Sequence, residues 1–160
     1  MQKELFKRKE LLEEIRRFQA NQFEEIDVAK RAVQSIMATA SIIVSVVAAF
    51  IATNYNACAP SCIGGLKVAA IFYIILVGVS VKSLSPLTLR TPMEMSLKNM
   101  EVYYRRYKTE IPFMNRVIDR YLVAIQENQS AVDKRKSLAT WAGLLLGLMV
   151  FFLLLPQLGG

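Results

Sequence analysis

Three long apolar blocks dominate the pattern of hydrophobic and polar positions along this chain. They run over residues 32–53, 66–81 and 137–155, and none carries a charge at its centre. A helix needs about 20 apolar residues to cross the hydrocarbon core of a bilayer. In lipid, every backbone polar group must be bonded within the segment, which favours helices. The pattern therefore predicts an all-α integral membrane protein with three transmembrane helices plus a cytoplasmic helical bundle.

Lysine and arginine are concentrated in two of the segments that flank these blocks. Residues 1–31 hold eight of the 20 basic residues and residues 82–136 hold eleven, whereas Lys67 is the remaining one. Basic residues in short segments mark the cytoplasmic side of a membrane. The asymmetry predicts a multi-pass topology in which the N-terminus is cytoplasmic and the C-terminus is external.

The same pattern divides the chain into four parts. Residues 1–31 are predicted to form a cytoplasmic amphipathic helix, and residues 32–81 a transmembrane hairpin with a short external loop at 54–65. Residues 82–136 are predicted to form a cytoplasmic helical hairpin. Residues 137–160 are predicted to contain the third transmembrane helix and an external C-terminal stub. The external loop is expected to be rich in turns around Pro60.

Prolines set the expected boundaries within the cytoplasmic hairpin. Pro86 and Pro92 break the chain after the second block. One helix is predicted over 93–110, and Pro112 disfavours the helical state for Ile111, which predicts a turn there. A second helix begins near Phe113 and meets no breaker before the third apolar block, so one long helix is expected to enter the membrane.

The N-terminal segment has the alternation of an amphipathic helix. Its apolar stripe contains Leu5, Leu12, Ile15 and Ile26, with Leu11 and Phe18 beside it. The segment holds eight basic and seven acidic residues, and this near balance favours packing against the middle segment over binding along a lipid surface. The cytoplasmic helices of a single chain are too small to form a core by themselves, so we also expect a homo-oligomer.

Candidate chemistry is sparse. The chain has no histidine, no glycine-rich phosphate loop and no nucleophile motif, so we expect a protein that is not an enzyme and needs no metal or cofactor. Both cysteines, Cys58 and Cys62, lie in the predicted external loop, where an oxidising environment favours a disulfide. Two free thiols are the alternative.

Small residues line one face of the first and third apolar blocks. In the first block the face consists of Ala38, Ser41, Ser45, Ala48 and Ala52. Such a face allows close helix packing, and it also suits the lining of a narrow pore, so both interpretations stay open. The third block carries a small-x-x-x-small run suited to tight contact with another span, made of Ala139, Gly143 and Gly147.

A cluster of basic and aromatic residues lies in the predicted cytoplasmic hairpin. The candidate ligand-binding residues are Arg105, Arg106, Lys108, Arg116, Arg120 and Tyr104, and Tyr103, Tyr107 and Tyr121 are interleaved with them. Arginine forks suit phosphates and tyrosine faces suit nucleobases. A solvated, salt-bridged face and a site for anionic lipid are the alternatives. The run from Lys134 to Lys136 is interpreted as a topology anchor.

The order of these parts resembles the SLATT-type membrane effectors of bacterial conflict and anti-phage systems. The shared parts are a charged N-terminal helix, a tight two-span hairpin with a short outer loop, and a helical cytoplasmic extension. The stretch Phe113–Asn128, followed by Lys136 and the third block, resembles the final helix of such effectors. The third span departs from the simplest two-span form.

The resemblance implies an oligomeric effector in the bacterial inner membrane. Its cytoplasmic helices would sense a cyclic nucleotide or oligonucleotide, or a partner protein that produces the signal, and the oligomer would then open a pore or disrupt the membrane. Two other functions remain open. One is a structural or adaptor membrane protein that recruits a cytoplasmic partner, and the other is a holin-like pore, against which the long middle segment argues.

Overall fold

The computed structural model describes residues 2–53, 60–90 and 110–158, and almost all of them are helical. The helices are α1 (Gln2–Thr53), α2 (Pro60–Leu84) and α3 (Glu110–Leu158). Each contains a stretch that is long and apolar enough to cross a membrane. The prediction of an all-helical chain with three such helices is confirmed for the described residues, which contain no strand.

Helix α1 joins the charged N-terminal segment and the first apolar block without a break. The sequence of α1 contains neither glycine nor proline, so no residue interrupts its hydrogen bonds. Its buried positions recur at spacings of four and three residues, at Ile15, Gln19, Gln22, Ile26, Ala29 and Val33. This spacing keeps one stripe of a helix against its neighbours, as in a coiled coil.

Helix α2 begins earlier than the sequence predicts. It starts at Pro60, so residues 60–65, which the sequence predicts to lie in the external loop, are helical. Proline is favoured at the first position of a helix because its φ angle already fits and its missing N–H would have no partner there. The rest of the predicted loop, residues 54–59, lies outside the described part. The helix ends at Leu84, two residues before Pro86, as predicted.

Helix α3 also begins earlier, at Glu110, so the turn predicted at Ile111-Pro112 is wrong. Pro112 falls in the first helical turn, where no N–H donor is needed and proline is tolerated. The helix then continues to Leu158, which confirms one long helix from the middle segment through the third apolar block. Of the helix predicted over 93–110, residues 93–109 lie outside the described part.

The chain forms two compact units. We call residues 1–26 and 87–133 the charged unit, and residues 27–86 and 134–160 the apolar unit. In the charged unit, the first half of α1 lies parallel to the first half of α3. Arg16 contacts Tyr121, and Gln22 contacts Gln129, so the residue numbers of both helices increase in the same direction.

In the apolar unit the three helices share one core. The buried residues are Val33, Ala40, Ala69, Leu76, Ala142, Leu145 and Met149. Helix α2 runs antiparallel to α3, because Phe72 stacks on Phe152 and Ser85 contacts Arg135. Ile36 of α1 lies 4.0 Å from the position that a Cβ on Gly143 would take.

Candidate functional site

The small-residue face of α1 is exposed along its length. All five of its members are solvent-accessible in the single chain: Ala38, Ser41, Ser45, Ala48 and Ala52. The buried side of the same helix carries Val33 and Ala40 instead. The chain's own core therefore leaves most of this face uncovered, although Ser41 approaches Tyr73 and Ala48 borders a cavity between the helices. The exposed part is available to lipid or to another copy of the chain.

The serine hydroxyls of this face are bonded within α1. Ser41 donates to the carbonyl of Met37 at 2.9 Å, and Ser45 donates to the carbonyl of Ser41 at 2.8 Å. Such back-bonding satisfies a hydroxyl that has no water partner. The hydroxyl oxygen of Ser41 also lies 3.4 Å from that of Tyr73 on α2. A hydroxyl in this arrangement can face lipid or a neighbouring helix at little cost.

A cavity of ≈ 170 Å³ adjoins the small-residue face in the apolar unit. It lies among all three helices, between Ala48, Ala69 and Leu153, and its wall is almost entirely apolar. The volume is that of several waters, but an apolar wall offers water few hydrogen-bond partners. We therefore regard this cavity as a dry gap in the packing.

Of the three small residues predicted to pack on α3, one contacts the core and two lie at the surface. Ala139 packs against the core of the apolar unit. Gly143 and Gly147 are exposed, and a Cβ added at Gly147 would meet no atom within 4 Å. A Cβ added at Gly143 would meet only a methyl group of Ile36, at 4.0 Å, among the described residues. The tight contact with another span that the sequence predicts therefore stays a prediction.

The basic and aromatic cluster is described only in part. Arg105, Arg106, Lys108 and Tyr104 lie outside the described residues. Of the others, Arg116 is exposed and Arg120 is half-buried on α3. The guanidinium carbon of Arg16 lies 5.9 Å from the ring centre of Tyr121, a cation–π contact between α1 and α3. Tyr121 therefore serves the packing of the charged unit.

A second cavity, of ≈ 420 Å³, lies at the start of α1 and of α3 in the charged unit. Its charged wall consists of Glu4, Lys7, Arg8 and Asp119. Arg8 already pairs with Glu4 at 3.3 Å. Two cations facing two carboxylates give a neutral wall, which does not favour a polyanion such as an oligonucleotide. Sequence reasoning missed this cavity, although the spacing of Glu4 and Arg8 is that of a helical ion pair.

Arg135 has a position that the sequence does not reveal. It is 2% exposed, and its guanidinium donates to the carbonyl of Lys82 at 3.2 Å and to that of Ser85. The last carbonyls of a helix have no partner within the helix, and a cation there also meets the negative end of the helix dipole. Burial lowers the pKa of Arg135, but a guanidinium stays protonated in proteins. Arg135 thus closes the end of α2.

In the charged unit, the side chain of Asn128 also binds backbone groups. Its side-chain carbonyl accepts from the backbone N–H of Arg90 at 3.0 Å, and its amide donates to the carbonyl of Arg90 at 2.9 Å. The guanidinium of Arg90 pairs with the carboxylate of Glu127. Two neighbouring side chains of α3 therefore hold the backbone and the side chain of Arg90.

A hydrogen-bonded glutamine pair, of which Gln22 is buried and Gln129 is exposed, connects α1 and α3 in the charged unit. Gln22 is 4% exposed, and its amide donates to the side chain of Gln129 at 2.8 Å and to the carbonyl of Ile125 at 3.2 Å. Its own side-chain oxygen has no partner among the described residues.

The predicted disulfide lies outside what the structure describes, because Cys58 and the side chain of Cys62 are not among the described groups. Within residues 2–53, 60–90 and 110–158, no group of three or more histidine, cysteine or acidic side chains has the arrangement of a metal site.

Together these features define an all-helical chain with three helices able to cross a membrane and two exposed surfaces made of small residues, one on α1 and one on α3. Comparisons of the chain with family models, with curated proteins and with solved structures found no match.

Proposed function

We propose that this protein is an oligomeric membrane effector that opens a pore, or disrupts the inner membrane, when its cytoplasmic helices sense a nucleotide or nucleic-acid signal. The three helices cross the membrane with the N-terminus inside and the C-terminus outside. The resemblance to the SLATT-type effectors of anti-phage systems supports the biological setting of this proposal.

The observation that carries the proposal is the exposure of the small-residue face of α1. The exposed large apolar side chains in the apolar block of the same helix, Ile42, Val46 and Phe50, suit contact with lipid tails. Alanine and serine bury little area against lipid, whereas they allow two helices to approach closely. A face of this kind, on a helix that already has a separate core face, supports association between copies.

The exposed Gly143–Gly147 edge of α3 offers a second surface of the same type in the apolar unit. Two different surfaces on one chain support a head-to-tail contact, which closes into a ring when the rotation between copies permits. A ring of such copies places serine hydroxyls near its axis. No charged residue lies in this part of α1, so the proposed pore is weakly selective.

The test is the membrane potential of bacteria after tightly controlled induction of the protein, measured with a potential-sensitive dye. Expression alone is compared with expression together with the neighbouring genes, because the signal is unidentified. We expect rapid depolarisation in at least one of these conditions. An unchanged potential in all of them, with the protein confirmed in the membrane fraction, contradicts the proposal.

A matched pair of substitutions locates the effect. Ser45→Phe places a large ring on the small-residue face, whereas Val46→Phe places it on a neighbouring position of α1 that is 63% exposed among lipid-type side chains. We expect Ser45→Phe to abolish depolarisation and Val46→Phe to retain it. Equal loss in both variants, at equal membrane levels, contradicts a role for this face.

An adaptor function is favoured by a different observation. In the charged unit, Leu11, Phe18, Leu122 and Val123 are large apolar side chains that remain about half exposed. Such residues suit a protein partner in the cytoplasm. Under this alternative, Ser45→Phe leaves the membrane potential unchanged, and Phe18→Glu abolishes co-purification of the partner.

A further inference from the structure

Basic residues from three distant parts of the sequence meet at one end of the apolar unit. We call this group the basic collar, and its members are Lys30, Arg31, Lys82, Lys134 and Lys136. Helix α2 is antiparallel to α3, so the end of α2 lies beside the beginning of the apolar part of α3. Arg135 connects the two helices at this junction, because its guanidinium donates hydrogen bonds to the carbonyls of Lys82 and Ser85.

The sequence of the apolar unit holds seven basic residues and one acidic residue. Asp27 is the single acidic residue in the sequence of this unit, residues 27–86 and 134–160. Its carboxylate lies 3.9 Å from the ammonium of Lys30. Lys82 and Lys134 are exposed on either side of the α2–α3 junction. The carboxylate next to Lys134 in the sequence, that of Asp133, accepts a hydrogen bond from Gln129 at 3.0 Å.

Apolar surface begins directly beside the collar. Val81 is 65% exposed and Leu84 is 40% exposed at the end of α2, and Trp141 is 58% exposed two turns beyond Lys134. Tryptophan at such a boundary is typical of the interface between headgroups and tails. Cations next to an exposed apolar surface match a molecule that has an anionic head and apolar tails.

We propose that the α2–α3 junction binds the headgroup of an anionic phospholipid through Lys82 and Lys134, while Arg135 fixes the backbone between them. The inference rests on the membrane-spanning part of the proposed function and not on the pore. Arg135 takes no direct part in lipid binding, since its guanidinium is buried and occupied by the two carbonyls. Basic groups at the edge of transmembrane helices are known to select anionic headgroups.

The test uses the purified full chain in detergent and native mass spectrometry, with phosphatidylglycerol and phosphatidylcholine as probes. We expect phosphatidylglycerol to bind the protein about tenfold more tightly than phosphatidylcholine, given the gain per basic residue near an anionic surface. Equal binding of the two lipids overturns the inference. Displacement of phosphatidylglycerol by millimolar inorganic phosphate also overturns it, because the site would then take free phosphate.

Three double variants assign the site. Lys82→Gln with Lys134→Gln is expected to remove the preference for phosphatidylglycerol. Lys7→Gln with Lys67→Gln changes the net charge equally at other places and should retain the preference. Lys82→Arg with Lys134→Arg keeps the charge and should retain it too, which shows that the positions tolerate substitution. Loss of the preference in the control pair, or its survival in the first pair, contradicts the assigned residues.

The same variants separate this inference from the proposed function. The first pair is expected to lose lipid selectivity and still depolarise cells, whereas Ser45→Phe should keep lipid selectivity and lose depolarisation. If Ser45→Phe behaves like wild type while the first pair loses selectivity, the pore proposal fails and the lipid site stands.

Discussion

At the scale of single residues, the decisive side chains are polar groups that bind backbone. Arg135 closes the end of α2, and Asn128 binds both backbone groups of Arg90. Neither role could be predicted from the sequence. Arg135 lies in a run of three basic residues, which the sequence presents as surface charge, and only the meeting of α2 with α3 buries it.

Replacement of Arg135 should destabilise the fold more than replacement of its neighbours. Arg135→Gln removes charged hydrogen bonds to two carbonyls at the end of α2, and we expect the free energy of unfolding to fall by about 2 kcal/mol. Arg135→Lys should lower the free energy of unfolding less than Arg135→Gln does, because an ammonium keeps the charge but lacks the planar donor geometry of a guanidinium. The measurement is thermal unfolding in detergent.

Lys134→Gln is the control for this prediction, because Lys134 is exposed and adjacent in sequence. Its removal in zwitterionic detergent should change stability by less than about 0.5 kcal/mol. An Arg135→Gln variant as stable as Lys134→Gln would show that the two carbonyl contacts do not hold α2 in place.

At the scale of elements, apolar runs and helix breakers predicted most of the architecture. The sequence of α1 lacks any breaker, and α3 has none after Pro112, so two long helices follow directly. The pattern predicts a loop through residue 65 and a turn at Ile111-Pro112, whereas Pro60 and Pro112 each lie in the first turn of a helix. Sequence alone does not separate these cases, because both place proline just before a helical run.

The pairing of α1 with α3 depends on a stripe in which polar residues replace apolar ones. Gln19 and Gln22 occupy buried positions between Ile15 and Ile26. Apolar periodicity could find the two isoleucines, but it could not predict that glutamines fill the stripe between them. Leu11 and Phe18, which the sequence placed beside the stripe, are exposed.

Gln22→Leu tests how far this polar contact stabilises the helix pair. The side-chain oxygen of Gln22 is buried without a described partner, a cost of about 1–3 kcal/mol that offsets its two donated bonds. We therefore expect Gln22→Leu to leave the thermal stability unchanged or to raise it. Ile26→Ala, on the same stripe, should lower stability by about 2–5 kcal/mol. A loss in Gln22→Leu as large as that in Ile26→Ala would mean that the glutamine is a net stabilising contact.

At the scale of the whole molecule, the sequence predicts an odd number of membrane crossings from three apolar blocks and one-sided charge. The structure adds that the apolar unit has one core, an exposed small-residue face at Ser41 and Ser45, and a basic collar at one end. The exposure of these surfaces could not be predicted, because it depends on which side of each helix the core takes. A helical face of alanine and serine has the same pattern whether it is buried or exposed.

Both proposals depend on one claim, that the chain crosses the membrane three times with its N-terminus inside. The most direct test is labelling by a membrane-impermeant maleimide in intact spheroplasts. The protein carries Cys58→Ser and Cys62→Ser, with a single new cysteine from either Glu10→Cys or Leu158→Cys. We predict immediate labelling of the Leu158→Cys protein, and labelling of the Glu10→Cys protein only after the membrane is permeabilised. Labelling of both in intact spheroplasts, or of neither, would place the two ends on one side and contradict an odd number of crossings.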